Sequence, residues 1–276
     1  DVMASTVDSS RAGMAEEDVR EAMKPYTRKL VAKQVKRLGW EIEPHESHFD
    51  RLLRPTVLSM ASASDEPEIV AYAQQRFAEM HDTTDLETEL KSAGERQNLR
   101  ANNLDPDLRS VVYGTIARTG GEAEFNKMLA MHRHTTSNEE KLTLCAALTG
   151  FKQPELIDRA LELITSKDVR LQDVAYWLAY SFMNRHARVK TWKWVQKNWK
   201  WLEKNLGSDL SFYRMPIYVA RGFSDEAFIA EYSKFFEDVM SPALERSYKQ
   251  GLEMIQWQAS WKKRDLKLVQ AFFKKN

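Results

Sequence analysis

Apolar residues recur at helical spacing along most of this 276-residue chain. Nowhere is there the sustained apolar/polar alternation, bounded by turn signals, that a sheet needs. From Glu17 to Leu38 the apolar positions are Val19, Met23, Tyr26, Leu30, Val31, Val35 and Leu38, and Gly39 follows as a natural C′ residue. Pro25 sits in the first turns, where the helix proper could begin. His45 to Ala61 reads as a second helix, with a possible break at Pro55. Asp65-Glu66-Pro67-Glu68 reads as an N-cap with an acidic residue three positions on. It opens a helix through Ile69, Val70, Ala73, Phe77 and Met80.

The middle of the chain is the best punctuated. Asp105-Pro106 is a cap followed by proline at the first helical position. Leu108, Val111, Val112, Gly114, Thr115 and Ile116 follow, and Gly120-Gly121 is the stop. Glu122 to His132 comes next, with Phe125, Met128 and Leu129 inward. Ser137-Asn138-Glu139-Glu140 has the form of a capping box and leads to Leu142, Cys145, Ala146 and Leu148, closed by Gly150. Pro154 starts a helix through Leu156, Ile157, Ala160, Leu161 and Ile164, and Asp168 to Met183 reads as another. The last segment, Pro242 to Phe273, predicts one long or broken helix that caps the array.

Helices of about a dozen residues joined by short turns predict an all-α fold. The preferred architecture is a HEAT- or armadillo-like superhelix of antiparallel helix pairs, curved with a concave face, in which each pair covers the apolar face of the next. An irregular helical bundle is the alternative. Residues 1–12 read as a polar tail and 13–276 as a single helical domain. The start at Asp1 rather than Met suggests a processed or excised piece.

Composition agrees: Gly (10) and Pro (8) are scarce for this length. Forty-one Lys and Arg against 40 Asp and Glu leave a net charge of +1, which predicts no nucleic-acid or membrane partner. Trp192, Trp194, Trp199 and Trp201 alternate with Lys190, Lys193, Lys197 and Lys200, a pattern that could stack nucleic-acid bases. Trp192, Val195, Trp199 and Leu202 share one helical face, so core packing with a lysine rim is the better reading.

Catalytic constellations are missing. Cys145 is the single cysteine, set among Leu142, Leu144 and Leu148, and reads as a buried structural thiol that fits a cytoplasmic setting. His45-Glu46-Ser47-His48 approaches a zinc-protease helix, but the second histidine falls at i+3 rather than i+4 and no third ligand is evident. A solvated stretch at a helix start is the better reading. His132 and His134 read as surface residues near a helix end. No phosphate loop, nucleophile elbow or EF-hand loop occurs.

The order of short landmarks resembles a known family. Leu38-Gly39-Trp40 and Leu52-Leu53-Arg54 come first, then Phe77, Leu104 to Arg109, Val112-Tyr113 and Glu139-Glu140-Lys141 before Ala146-Ala147-Leu148. Val169-Arg170-Leu171-Gln172-Asp173 is the most distinctive, followed by Trp194, Asn198-Trp199, Leu202, Phe235-Phe236, Leu252-Glu253, Ile255 and Trp257. Together they resemble the C-terminal helical domain of the zinc aminopeptidases that include aminopeptidase N and the puromycin-sensitive and endoplasmic-reticulum enzymes. The resemblance spans about residues 25–265.

The resemblance implies a domain that encloses substrate, binds peptide and gates a cleft, without its first helices and without the upstream catalytic domain that holds zinc. No cofactor is expected in this chain itself. The implied partners are a peptide and that catalytic domain. A peptide carboxylate needs a cationic partner, and Arg188, Lys190, Arg214 and Arg221 are the candidates. Arg170, Gln172 and Asp173 form the family motif, with Arg170 and Asp173 expected to pair at i,i+3. A free-standing helical-repeat scaffold for protein–protein interaction is the alternative role.

Overall fold

In the computed structural model residues 17–80 and 104–275 are described, and among them every regular element is helical. The expected tail 1–12 and His81 lie outside the described residues. The chain divides into two compact units, residues 21–151 and residues 152–276 with 1–20.

The first unit is built from α1 (Glu17–Leu38), α2 (His48–Ala63), α3 (Pro67–Glu79), α4 (Pro106–Thr119), α5 (Glu122–His134) and α6 (Asn138–Leu148). The first four residues of α1 group with the second unit. Pro25 lies inside α1 and does not start it. It removes one hydrogen bond from a 22-residue ladder, a loss the flanking turns carry. Gly39 ends the helix in the left-handed region (φ +54°), its N–H donating to Val35 O at 2.9 Å. Helix α2 begins at His48 rather than His45, because the Ser47 hydroxyl caps it by accepting from Asp50 N. It runs through Pro55 without a break. Asp65 is not the cap of α3: it takes φ +56° and pairs with Lys24 (2.7 Å), and Glu66 precedes Pro67 as the cap residue.

Helix α4 is apolar on several faces and is buried between α2, α3 and α6. Its Thr115 hydroxyl meets that of Ser62, and Arg118 donates to Ser62 O at 2.6 Å, tying α4 to the end of α2. Ser137 caps α6, accepting from Glu140 N, but the reciprocal half of the expected box is absent. The Glu140 carboxylate turns inward instead and accepts from Tyr113 OH (3.1 Å) and Thr135 Oγ1 (2.7 Å), with Arg109 3.5 Å away. Burial and this negative neighbour push the Tyr113 hydroxyl far above its ordinary pKa. His132, expected at the surface, is 2% exposed, because it lies on the face of α5 that also carries Phe125, Met128 and Leu129.

The second unit holds α7 (Pro154–Leu163), a 3₁₀ turn (Leu171–Asp173), α8 (Val174–Met183), α9 (Arg188–Leu206), the single turn α10 (Leu210–Tyr213), α11 (Met215–Arg221), α12 (Glu226–Asp238) and α13 (Pro242–Lys275). The expected helix Asp168–Met183 is thus shorter. Residues 168–170 are non-helical, and Arg170 Nε pairs with Asp173 Oδ2 at 2.6 Å across the 3₁₀ turn. Helix α13 is one unbroken rod of 34 residues that packs on α11 and α12.

Trp192 and Trp199 of α9 are buried with Val195 and Leu202, while the intervening lysines stay outside. Their rings meet Phe235 edge-on at 5.0 and 5.4 Å, and the Trp192 indole N–H donates to Glu231 at 2.7 Å. Each such aromatic pair adds about 0.5–1.5 kcal/mol beyond the area it buries. These tryptophans are core, and Cys145 is buried as expected.

Candidate functional site

Four of the cations singled out in the sequence lie in the second unit, in different settings. Lys190 Nζ is engaged with Asp158 Oδ2 (2.5 Å) and Pro154 O (3.3 Å), which fixes the start of α9 to the start of α7. Arg214 and Arg221 are exposed and stand at opposite ends of α11, about 10 Å apart along its axis.

Arg188 is different. It is the first residue of α9, and its Nη1 donates to Gly222 O at 2.5 Å, just beyond α11. Its Nε is buried and has no hydrogen-bond partner. No carboxylate pairs with it among the described residues. Burial, with Arg20 and Arg185 nearby, pulls its pKa down to about 10.

The α8–α9 corner explains the crowding. Asn184 ends α8, and its carbonyl accepts from both Ala187 N and Arg188 N at 2.9 Å. Its side-chain oxygen accepts from His186 N at 3.0 Å, an Asx turn. The turn presents Arg185, His186 and Arg188 within four residues. Arg185 Nε donates to His186 Nε2 (3.1 Å), so the imidazole is neutral there, and its Nη1 pairs with Glu17 in the first turn of α1. Burial, then Arg185, Lys152, Arg188 and Arg20, hold the His186 pKa below its ordinary value. The first turn of α9 contains no acidic residue to balance these charges. Cations at a helix N-terminus oppose the helix dipole, so the corner is electrostatically expensive as it stands. Residue type alone singles out Arg188, whereas Arg185 and His186 are brought beside it by the Asx turn at Asn184.

Two other hollows offer less. One of 470 Å³ lies between α3, α4 and α5, but its cation, Lys127, is spent on Phe77 O and Met80 O at the end of α3. The other, 360 Å³, is bordered by Arg37, His45 and Asp50. Glu46, the central residue of the stretch that approaches a zinc-protease helix, is held there by a forked pair with Arg54 (Nη1 to Oε2 2.6 Å). Among the described residues no group of three or more His, Cys, Asp or Glu side chains is placed to hold a metal ion.

Comparison with known proteins decides the family. The profile of the ERAP1-like C-terminal domain matches residues 3–256. The chain belongs to this family. Among similar proteins, "Aminopeptidase 2" of Candida albicans is 25% identical over 274 residues, 98% of this chain and 28% of that protein. "Aminopeptidase M1" of Arabidopsis thaliana is 26% identical over 82% of this chain and 24% of its own length. "Aminopeptidase N" of Lactococcus lactis is 29% identical over 86% and 26%. The chain therefore spans about a quarter of the length of the relatives it matches.

The landmarks of this ERAP1-like domain are largely structural. Arg54 reaches from α2 to the carbonyls of Leu38 and Gly39, so two separated landmarks meet at the end of α1. Tyr113, Arg109 and Glu140 converge in one buried network. Arg170 and Asp173 close the turn before α8, and Gln172 between them is exposed.

Proposed function

We propose that this chain is the substrate-enclosing, peptide-binding and gating C-terminal domain of a zinc-dependent aminopeptidase that removes residues from peptide N-termini. The observation that carries this reading is the family match over nearly the whole chain, combined with relatives named aminopeptidases that are about four times as long. The zinc and the chemistry belong to an upstream catalytic domain, which is the second partner beside the peptide. In this reading the helix pairs stack as HEAT-like repeats, and successive helices offer an extended surface to the distal part of the peptide. Arg188, Lys190, Arg214 and Arg221 are the proposed peptide contacts, with Arg188 the strongest because its guanidinium has no carboxylate partner among the described residues. A cytoplasmic setting fits the single buried thiol and is part of the same proposal.

The test is fluorescence anisotropy with a labelled peptide carrying a free C-terminus. Weak, saturable binding by the purified chain is expected. A chain that is helical by circular dichroism and binds no peptide overturns the reading.

A further inference from the structure

We infer that the outward face of α13 is a self-association surface, on which a second copy of this chain lays its own α13 antiparallel about a twofold axis near Ser260. The rod is held by α11 and α12 over its first half, and the last buried residue along it is Ala259. From Ser260 to Phe273 no side chain is buried, and Gln270 makes a polar tie to Asp18 at 3.0 Å. A helical stretch of that length is marginal in water unless a face of it packs.

The outward face has the form of a packing seam. Trp257, Trp261, Arg264 and Leu268 follow at steps of four, three and four residues, the heptad spacing that aligns side chains in one stripe. Trp257 is 61% exposed and Leu268 70%, with Trp261 half-buried between them. The buried residues of the rod, Ile255, Gln258 and Ala259, lie on the opposite side, so the stripe is not the margin of the core. A line of large apolar groups left in water marks an interaction surface.

Charge selects the occupant. Glu253, Ser260 and Lys267 recur at heptad intervals along one flank of the stripe, and all three are exposed. Glu253 and Lys267 have no hydrogen bond or ion pair among the described residues. The flank is therefore acidic at one end and basic at the other. In an antiparallel pair of identical helices the same flank of each copy meets, and every contact off the axis occurs twice. Glu253 then lies opposite Lys267 of the second copy, and the small Ser260 sits at the axis. The same axis sets Trp257 against Trp261 of the second copy, an aromatic pair made twice. The two pairs have midpoints one residue apart, at 260 and 259, so one rotation serves both. A partner of another sequence would need no such match. The contact is a single helix pair about 30 Å long, which fits reversible association rather than a permanent dimer.

Sedimentation velocity of the full chain, from micromolar to submillimolar concentration, tests the surface. A monomer–dimer equilibrium is expected. Trp257→Ala weakens it by about tenfold or more, and Glu253→Lys and Lys267→Glu each weaken it severalfold. The double variant Glu253→Lys with Lys267→Glu restores dimerisation to the parent level, because the exchanged charges again face each other. Lys204→Glu, an exposed change on α9, dimerises as the parent chain does. The substituted residues are exposed, and circular dichroism checks that each variant keeps its helices.

A chain that stays monomeric throughout overturns the proposal, as does a dimer that persists in Trp257→Ala. A double variant no tighter than the single ones overturns it too, since the antiparallel pairing is then wrong. Flotation with phosphatidylserine vesicles covers the other occupant. A monomeric chain that floats with them, and loses this in Trp257→Ala, assigns the stripe to an anionic lipid surface and ends the inference.

Discussion

His186 shows how a single side chain carries the charge balance of its corner. The imidazole faces Arg185 and Arg188 from its own turn, Lys152 before α7 and Arg20 from α1, and its proton therefore binds less readily in the folded chain than in the unfolded one. As pH falls just below the ordinary histidine value of about 6.5, the unfolded chain takes up the proton first, so folding loses stability. Protonation also costs the hydrogen bond from Arg185 Nε. The melting temperature is expected to fall between about pH 7 and about pH 5, and to fall less steeply in His186→Gln, which keeps an acceptor and cannot titrate. Parallel curves for the two proteins would show that His186 contributes nothing. At this scale the sequence is legible only in part: residue type marks Arg188, whereas the placing of Arg185 and His186 beside it depends on the Asx turn at Asn184. The buried pairing of Arg54 with Glu46 was likewise hidden, because their eight-residue separation spans a loop that no periodicity describes.

Elements were more legible than sites, for a physical reason. Caps and stripes are local, so Asp105-Pro106, Ser137 and Pro154 marked α4, α6 and α7 directly, and the stripe Trp192, Val195, Trp199, Leu202 found the buried face of α9. Where tertiary contacts decide, local signals failed. Arg170 and Asp173 close a 3₁₀ turn that delays α8, and Asp65 gives up the cap of α3 to pair with Lys24. Gly251 shows the same dependence inside α13. Glycine weakens a helix interior by about 1 kcal/mol relative to alanine, so the sequence alone favours Gly251→Ala as a stabilising change. In the structure a Cβ there would collide with the hydroxyl of Tyr232 and lie 3.0 Å from Pro216 O. Tyr232 is fully buried and donates to Pro216 O, so it has nowhere to move. Gly251→Ala is expected to destabilise the chain by about 1–3 kcal/mol in urea denaturation, the cost of overpacking where α11, α12 and α13 meet. A variant as stable as the parent would mean that the tyrosine yields.

At the scale of the whole molecule the question is what a chain a quarter the length of its relatives does alone. Its 276 residues contain no HExxH sequence, and the nearest approach, His45-Glu46-Ser47-His48, is disqualified by its own geometry. Ser47 is the cap of α2, so His48 is helical while His45 lies in the loop before it, and the two rings do not share a helix face. Glu46, the residue that would act on a metal-bound water, is 6% exposed and locked to Arg54. Freeing it would break a buried pair, a change that costs about 3–5 kcal/mol. A catalytic zinc needs three protein ligands and an open position, and this stretch provides neither the ligands nor a free general base. The purified chain is therefore expected to bind no zinc stoichiometrically by titration calorimetry, and to release no fluorophore from an aminoacyl-coumarin with or without added zinc. Chelator-sensitive turnover by the purified chain would contradict this and place a metal site in residues that the family resemblance leaves without one.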